Sequence, residues 1–151
     1  MKPRINLNTA PKALQPMLAL QAYVDSTSIG STLLYLVKMR ASQINGCAYC
    51  IDMHTKDARA VGETEQRLYS LGAWRETSWF TPAERAALAL TEAVTVLHEE
   101  HVPAAVMEEA ALHFDPEALA QLIALLVTIN AWNRIGVTTR CWEPGSYERE
   151  G

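Results

Sequence analysis

The sequence predicts an all-α protein of about seven helices, and three observations carry that prediction. Helix-start signals recur: Thr81-Pro82-Ala83-Glu84 is a capping box with proline at the first helical position, and Asp115-Pro116-Glu117 repeats the cap-plus-proline pattern. Gly62 and Gly72 have the character of helix stops. No stretch alternates β-branched and polar residues over a useful length, so no strand is expected.

In chain order, the first two helices are expected at 12–25 and 30–43, the second ending before the turn signal Asn45-Gly46. The third, 47–61, opens on Cys47 and stops at Gly62. The fourth, 64–71, stops at Gly72, and the fifth, 82–97, grows from the capping box. The sixth, 103–113, places His113 at a helix C-terminus, where a cation is favoured. The seventh, 116–140, spreads Leu119, Leu122, Ile123, Leu125, Leu126, Val127, Ile129, Trp132 and Ile135 around most of its circumference. Such a helix must be covered on all sides, either by the rest of its own domain or by another subunit. The second alternative makes the protein a homo-oligomer.

The 151 residues carry no repeat, low-complexity tract or linker, so residues 1–151 are expected to form one domain. Apolar residues make up 49% and charged residues 20%, a soluble globular balance. The formal net charge is −4 and no basic run occurs, so nucleic acid is not an expected partner. The N-terminal MKPRINLNTAPKALQ lacks the apolar core of a signal peptide. The most apolar stretch, 118–131, is interrupted by Gln121, Thr128 and Asn130 and is too short for a membrane span. The expected compartment is therefore the cytoplasm, with no membrane partner. Lasting disulfides are rare there, so three cysteines with two close together point to redox or metal chemistry.

The chemistry concentrates in Ser42-Gln43-Ile44-Asn45-Gly46-Cys47-Ala48-Tyr49-Cys50-Ile51-Asp52-Met53-His54. Cys47 and Cys50 fall in the first turn of a helix, on one face and close enough for a disulfide. The helix N-terminus stabilises an anion, and Cys-x-x-Cys pairs have thiol pKa values below the free value of about 8.5. His54 lies one turn beyond Cys50 and can take a thiol proton or stabilise the thiolate. A thiolate attacks a peroxide O–O bond and becomes a sulfenic acid, and a second thiol condenses with it to a disulfide. This cycle requires no metal and no organic cofactor, only a peroxide and an external thiol or dithiol reductant.

Other readings of these residues stand beside it. Cys47, Cys50 and His54 could ligate zinc, with His98, His101, His113 or Cys141 as a fourth ligand, but no second pair follows at finger spacing. The cysteines could be small core residues beside an incidental histidine. Ile51 directly after Cys50 excludes c-type haem attachment, and the helical segment before the pair argues against a thioredoxin fold. His98 and His101 flank Glu99 and Glu100 and read best as a solvated face, as does Asp57, which could otherwise orient His54. Cys141 reads as a harmless thiol, and Trp132 as an interface residue more than a lining of the site.

The segment from Ser42 to His54, with its Cys-x-x-Cys-x-x-x-His spacing, resembles the core motif of the alkylhydroperoxidase D-like family, grouped with the carboxymuconolactone decarboxylases. Ile129-Asn130-Ala131-Trp132-Asn133-Arg134 is similar to a second family segment, and the resemblance covers about residues 10 to 140. It implies an alkylhydroperoxidase D-like helical fold with the Cys-x-x-Cys at a helix N-terminus, assembled as trimers or hexamers. It implies antioxidant reduction of alkyl hydroperoxides or hydrogen peroxide, with Cys50 attacking the peroxide, Cys47 resolving and His54 relaying protons. The helix-end argument alone would favour Cys47 as the more acidic thiol. The reductant would be an external thiol or dithiol, a lipoylated protein being one form it can take. The decarboxylase branch lacks the cysteine pair, so lactone decarboxylation is not expected.

One position departs from the family. A glutamate commonly stands twelve residues before the first cysteine and drives the relay; here that residue is Tyr35. A phenol with a pKa near 10 is a poor base at neutral pH, though it can hydrogen-bond to His54 or a thiolate. Tyr35 thus strengthens the alternative reading, a disulfide oxidoreductase or redox sensor with little peroxide turnover.

Overall fold

The computed structural model describes residues 2–98 and 101–149. Seven α-helices follow one another: α1 (Gln15–Asp25), α2 (Ser31–Asn45), α3 (Ala48–Ala60), α4 (Glu65–Ser70), α5 (Pro82–Thr95), α6 (Ala104–His113) and α7 (Pro116–Thr139). Three 3-10 segments, Leu7–Thr9, Pro11–Ala13 and Leu71–Glu76, supplement them. Among the described residues the only β-type pairing is an isolated bridge between His98 and His101. The all-α expectation therefore holds, and each predicted helix has its counterpart.

The capping signals work as written. Thr81 accepts from the Glu84 amide while the Glu84 carboxylate accepts from the Thr81 amide, and Asp115 accepts from the Ala118 amide. Two corrections concern helix ends. Pro11 and Pro16 each open a separate helical piece, so the predicted 12–25 element divides into a 3-10 turn and α1. Gly72 stops nothing: it lies within the 3-10 segment, and the break from helical geometry falls at Ala73. Gly62, with φ +96°, does end α3.

The helix enclosed on all sides is α2. It buries the consecutive residues Leu36, Val37, Lys38 and Met39, which face different directions around the axis. Val37 joins a core with Val24, Leu90, Leu122, Leu125 and Leu126, while Leu36 and Met39 join a second with Leu68, Leu71, Trp74, Phe80 and Leu88. Helices α3, α5 and α7 pack around it. Burying a leucine or valine side chain contributes roughly 1.5–3 kcal/mol, so these two clusters fix where α2 sits.

Helix α7 buries Leu122, Leu125, Leu126 and Ile129 but leaves Ile123, Val127 and Val137 exposed at 37%, 51% and 43%. Its 24 residues make it, by length and composition, long and apolar enough to cross a membrane, with mean hydropathy 1.3 over its best 18-residue window. The helix thus extends past the apolar stretch 118–131, which alone is too short for a span. Within the fold, Gln121, Thr128, Asn130 and Asn133 of this helix are buried against protein, with hydrogen bonds inside the chain.

Candidate active site

The turn that presents the cysteines is built by backbone bonds and fixed by asparagines. Gly46 adopts φ +66° after α2; its amide bonds the Gln43 carbonyl at 3.2 Å and the Cys47 amide bonds the Ser42 carbonyl at 3.0 Å. This pair of bonds is a Schellman ending, which reverses the chain and makes Cys47 the N-cap of α3. Cys50 then occupies the third helical position. Asn45 Nδ2 donates to Asn130 Oδ1 and Asn133 Oδ1, each at 2.9 Å, and the buried Asn133 donates to Ser42 Oγ at 3.0 Å. The two segments that carried the family resemblance thus bind each other.

Cys47 and Cys50 form a disulfide with a Cα–Cα distance of 5.3 Å. They are 2% and 3% exposed. Cys50 lines a cavity of about 430 Å³ together with Tyr35, Lys38, His54 and Asp57. Its apolar wall comes from Tyr49, Met53, Ile129, Trp132 and Trp142, and Gln21 and Asp25 of α1 complete it. A pocket with apolar walls and a few convergent polar groups is the usual form of a small-molecule site.

His54 is nine-tenths or more buried. Its Nδ1 is directed at Asp57 Oδ2, but at 3.9 Å this is beyond hydrogen-bond distance and becomes an ion pair only when the imidazole is protonated. Nδ1 has no hydrogen-bond partner among the described residues. Burial pushes the His54 pKa down from its ordinary 6.5; Asp57 opposes the shift and the Lys38 ammonium reinforces it. The imidazole is accordingly neutral at pH 7 and able to accept a proton.

Burial pushes the Asp57 carboxyl up, but the adjacent His54 and the Tyr147 hydroxyl, which donates to Oδ1 at 2.8 Å, hold it below its usual 3.8. Burial lowers the Lys38 pKa from 10.5. The Lys38 Nζ lies 5.7 Å from the centre of the Tyr35 ring, within cation–π range. Burial, with Asp57, raises the Tyr35 phenol above 10.0, so at neutral pH it is a donor and not a base. Its ring centre is 6.4 Å from that of His54.

Tyr35, Cys50 and His54 therefore meet at one cavity, with Cys47 attached through the disulfide. Two readings of side chains need correction. Asp57 is not on a solvated face: α3 turns it inward beside His54 and Tyr147 covers it. Trp132 lines the cavity, its indole N–H bonded to Gln21 Oε1 at 3.1 Å. His98, His101 and His113 line neither this cavity nor the cysteine turn. His98 and His101 occupy the exposed loop after α5, with Glu99 and Glu100 outside the described residues, and His113 ends α6 with a bond to Glu109 at 3.1 Å. Cys141 is a free thiol accepting from Thr139 Oγ1 at 3.1 Å. Among the described residues no group of three or more His, Cys, Asp and Glu is placed to hold a metal ion.

Sequence reasoning missed Lys38, Asp25, Gln21, Trp142 and Tyr147. Lys38 had a signal, a lone cation within Leu36-Val37-Lys38-Met39. Tyr147 had none. It reaches the site because the C-terminal segment lies along α3, where Lys56 Nζ donates to the Tyr147 carbonyl at 2.8 Å and the Gly145 amide donates to Asp52 Oδ2 at 3.1 Å.

Comparison with known proteins agrees with this geometry. Residues 11–93 match the carboxymuconolactone decarboxylase family. The uncharacterized protein YdfG of Bacillus subtilis (strain 168) is 44% identical over 128 residues, covering 85% of this chain and 87% of that protein. A crystal structure of a protein of unknown function from Agrobacterium tumefaciens, proposed to be the antioxidant defence protein AhpD, superposes with a TM-score of 0.90 at 39% identity. That match covers 95% of this chain and 99% of that one. The debrominase Bmp8, solved in complex with 2,3,4-tribromopyrrole, shares the fold at 19% identity with a TM-score of 0.81, over 93% of this chain and 74% of its own. The chain belongs to the carboxymuconolactone decarboxylase family and has the alkylhydroperoxidase D-like fold.

Proposed function

We propose that the protein is a thiol-dependent peroxidase that reduces alkyl hydroperoxides or hydrogen peroxide through a Cys47–Cys50 disulfide cycle, in antioxidant defence. The observation that carries this reading is the placement of Cys50 and His54 at one cavity, with Cys47 bonded to Cys50. Cys50 sits in the first turn of α3, where the helix N-terminus favours a thiolate, and the neutral His54 can take its proton. The Cys50 thiolate attacks the peroxide O–O bond. One oxygen stays on sulfur as a sulfenic acid, and the other leaves as an alcohol or water after taking a proton. The Cys47 thiol then displaces that oxygen as water, and the disulfide forms. Two equivalents of an external thiol, or one dithiol such as a lipoylated protein carries, restore both cysteines. His54 is the proton relay, Asp57 and Lys38 set its charge state, and Tyr35 contributes a hydrogen-bond donor.

The exposed Ile123 and Val127 on α7 support assembly as a homo-oligomer, a trimer or hexamer, and the cytoplasm is the compartment that suits a thiol cycle. Tyr35 favours the second reading, a disulfide oxidoreductase or sensor, because its raised pKa removes it as a base.

The test is peroxide-dependent loss of free thiols in reduced wild type, Cys47→Ser and Cys50→Ser. Stoichiometric peroxide is expected to consume two thiols in the wild type. Cys47→Ser should stall with a sulfenic acid on Cys50, while Cys50→Ser hardly reacts. If all three ignore peroxide while the wild-type disulfide still exchanges with a dithiol, the protein is a disulfide carrier or sensor.

A further inference from the structure

The two cysteines of the disulfide line different cavities. Cys50 lines the cavity of about 430 Å³ that holds His54, and Cys47 does not. Cys47 lines a second cavity of about 170 Å³, formed with Gly46, Ala48, Gly136, Val137, Arg140 and Pro144, and Cys50 does not. Tyr49 and Trp142 line both, with ring centres 5.5 Å apart in a stacked arrangement, so they form the partition. Trp132 packs edge-on against Trp142 at 6.0 Å from the larger cavity's side.

Gly136 keeps the second cavity next to sulfur. A Cβ at this position would stand 3.3 Å from Cys47 Sγ and 3.7 Å from the Trp142 ring. With no side chain there, Sγ reaches the helix surface that lines the cavity. The cavity's charged residue is Arg140, and no acidic residue lines it. Arg140 sits in the left-handed conformation at the end of α7, with φ 52°, and its guanidinium has no hydrogen-bond or ion-pair partner among the described residues.

We infer that the Cys47-side cavity is the entry for the reductant, and that Arg140 selects a thiol carrying a carboxylate. This rests on the disulfide cycle proposed above, adds the side from which it is reversed, and narrows the two alternative reductants to the monothiol, of a class that carries a carboxylate. The incoming thiolate attacks Cys47 Sγ, the Cys47–Cys50 bond breaks, and its electron pair leaves on Cys50 sulfur. That sulfur is thereby returned as a thiolate to the cavity where peroxide is met. A second thiolate attacks the mixed disulfide on Cys47, releasing the oxidised thiol as its disulfide and leaving Cys47 reduced. Two thiols lose two electrons and two protons overall, and the protein disulfide gains them. Oxidant and reductant thus reach the pair from opposite sides of the Tyr49–Trp142 partition.

The test uses no peroxide, so it can fail independently of the peroxidase reading. Reduction of the wild-type disulfide is followed with 3-mercaptopropionate and with cysteamine at matched thiolate concentrations, then repeated in Arg140→Glu. The propionate-to-cysteamine rate ratio is expected to fall by at least about fivefold in Arg140→Glu, an effect of one or two charges near the surface. Raising the salt toward about 1 M should shrink that difference. The sulfur is located in a Cys141→Ser background, with Cys50→Ser leaving Cys47 alone and Cys47→Ser leaving Cys50 alone. Exchange with dithiodipropionate and cystamine follows the same approach in reverse. The Arg140-dependent charge preference is expected with Cys47 alone and absent with Cys50 alone. A ratio unmoved by Arg140→Glu, a Cys47-only protein that does not exchange, or the preference appearing with Cys50 alone would each overturn the inference. Peroxide inertness with the exchange pattern intact would instead remove the peroxidase reading and leave the entry in place.

Discussion

Arg40 and Lys38 lie two residues apart on α2, and their surroundings differ in kind. Arg40 meets Glu92 of α5 through Nε at 2.8 Å and a second guanidinium nitrogen at 2.7 Å. The same carboxylate accepts from Trp74 Nε1 at 2.9 Å and from Arg75. Burial pushes the Glu92 carboxyl up, but these donors override it and hold the pKa below 4.5. Lys38 faces the other side, toward the cysteine cavity. Among the described residues no carboxylate lies within ion-pairing distance of it, and its close partner is the Tyr35 ring. The acids differ in the same way: Glu92 is saturated with donors, whereas Asp57 has one hydroxyl and an imidazole at 3.9 Å. A partly buried charge whose hydrogen-bonding capacity is filled holds elements together. One left unfilled beside a cavity is free to act on what enters.

Removing Glu92 breaks the filled cluster and has the largest expected effect on the fold. Glu92→Ala takes the shared acceptor from Arg40, Arg75 and the Trp74 N–H at once. Discounted for the cluster's partial exposure, the loss is about 2 kcal/mol, read from urea unfolding. Peroxide-driven oxidation of Cys50 in the folded fraction should be unchanged. A variant that keeps its stability but loses oxidation would place Glu92 with the site instead of the scaffold.

Removing Lys38 should do the reverse. Lys38→Met keeps most of the stem's volume and deletes an unpaired charge, so stability should change by less than about 1 kcal/mol. The effect falls on His54. Burial and the Lys38 ammonium both hold its folded pKa below 6.5, and Asp57 opposes them; Tyr35, Tyr49, Asp25 and, once the disulfide is reduced, Cys50 also face the same cavity. In the wild type, the unfolded chain takes up the His54 proton first as pH falls. Stability is therefore full above 6.5 and declines from there down to the folded value. Without the ammonium, the folded pKa rises and that window narrows. The acid limb of the peroxide-reduction profile should move to higher pH by about half a unit. An acid limb that stays in place would remove Lys38 from the site.

The contrast also explains what the sequence made legible. Helix starts depend on a few adjacent residues, so Thr81 to Glu84 and Asp115 to Glu117 announce α5 and α7 without reference to anything distant. The cysteine turn is equally local, and Cys50 and His54 share a face because both lie on α3. Membership of the cavity is not local. Asp57 reads as a solvated residue until Tyr147, ninety positions later, is laid over it. Lys38 reads as an isolated cation until α2 proves to be the enclosed helix. The sequence of α7 calls for cover on all sides, by its own domain or by another subunit, and within the chain its apolar residues leave Ile123, Val127 and Val137 exposed. The enclosure of α2 is hidden for a plain reason: the helix mixes Lys38, Arg40 and Ser42 into its buried and half-buried surface, and each is accommodated by a cavity, Glu92 or Asn133 that other elements supply.

The smallest effect tests the link between the C-terminal segment and the unfilled acid. Burial and Asp57 push the Tyr147 phenol up to about 12, so it donates to Asp57 throughout the working pH range. Tyr147→Phe removes one hydrogen bond at the edge of solvent and should cost at most about 1 kcal/mol at pH 7. Asp57 has a folded pKa below 3.8, so its contribution is present above 3.8 and lost as pH falls through the folded value. The stability difference between Tyr147→Phe and wild type should therefore be measurable at pH 7 and vanish once Asp57 is protonated. Lys56 and Asp52 still hold the segment's backbone, so the helix content of the variant should not change. A difference that persists at low pH would mean that Tyr147 acts by packing alone. In that case the C-terminal segment covers α3 without setting the charge beside His54.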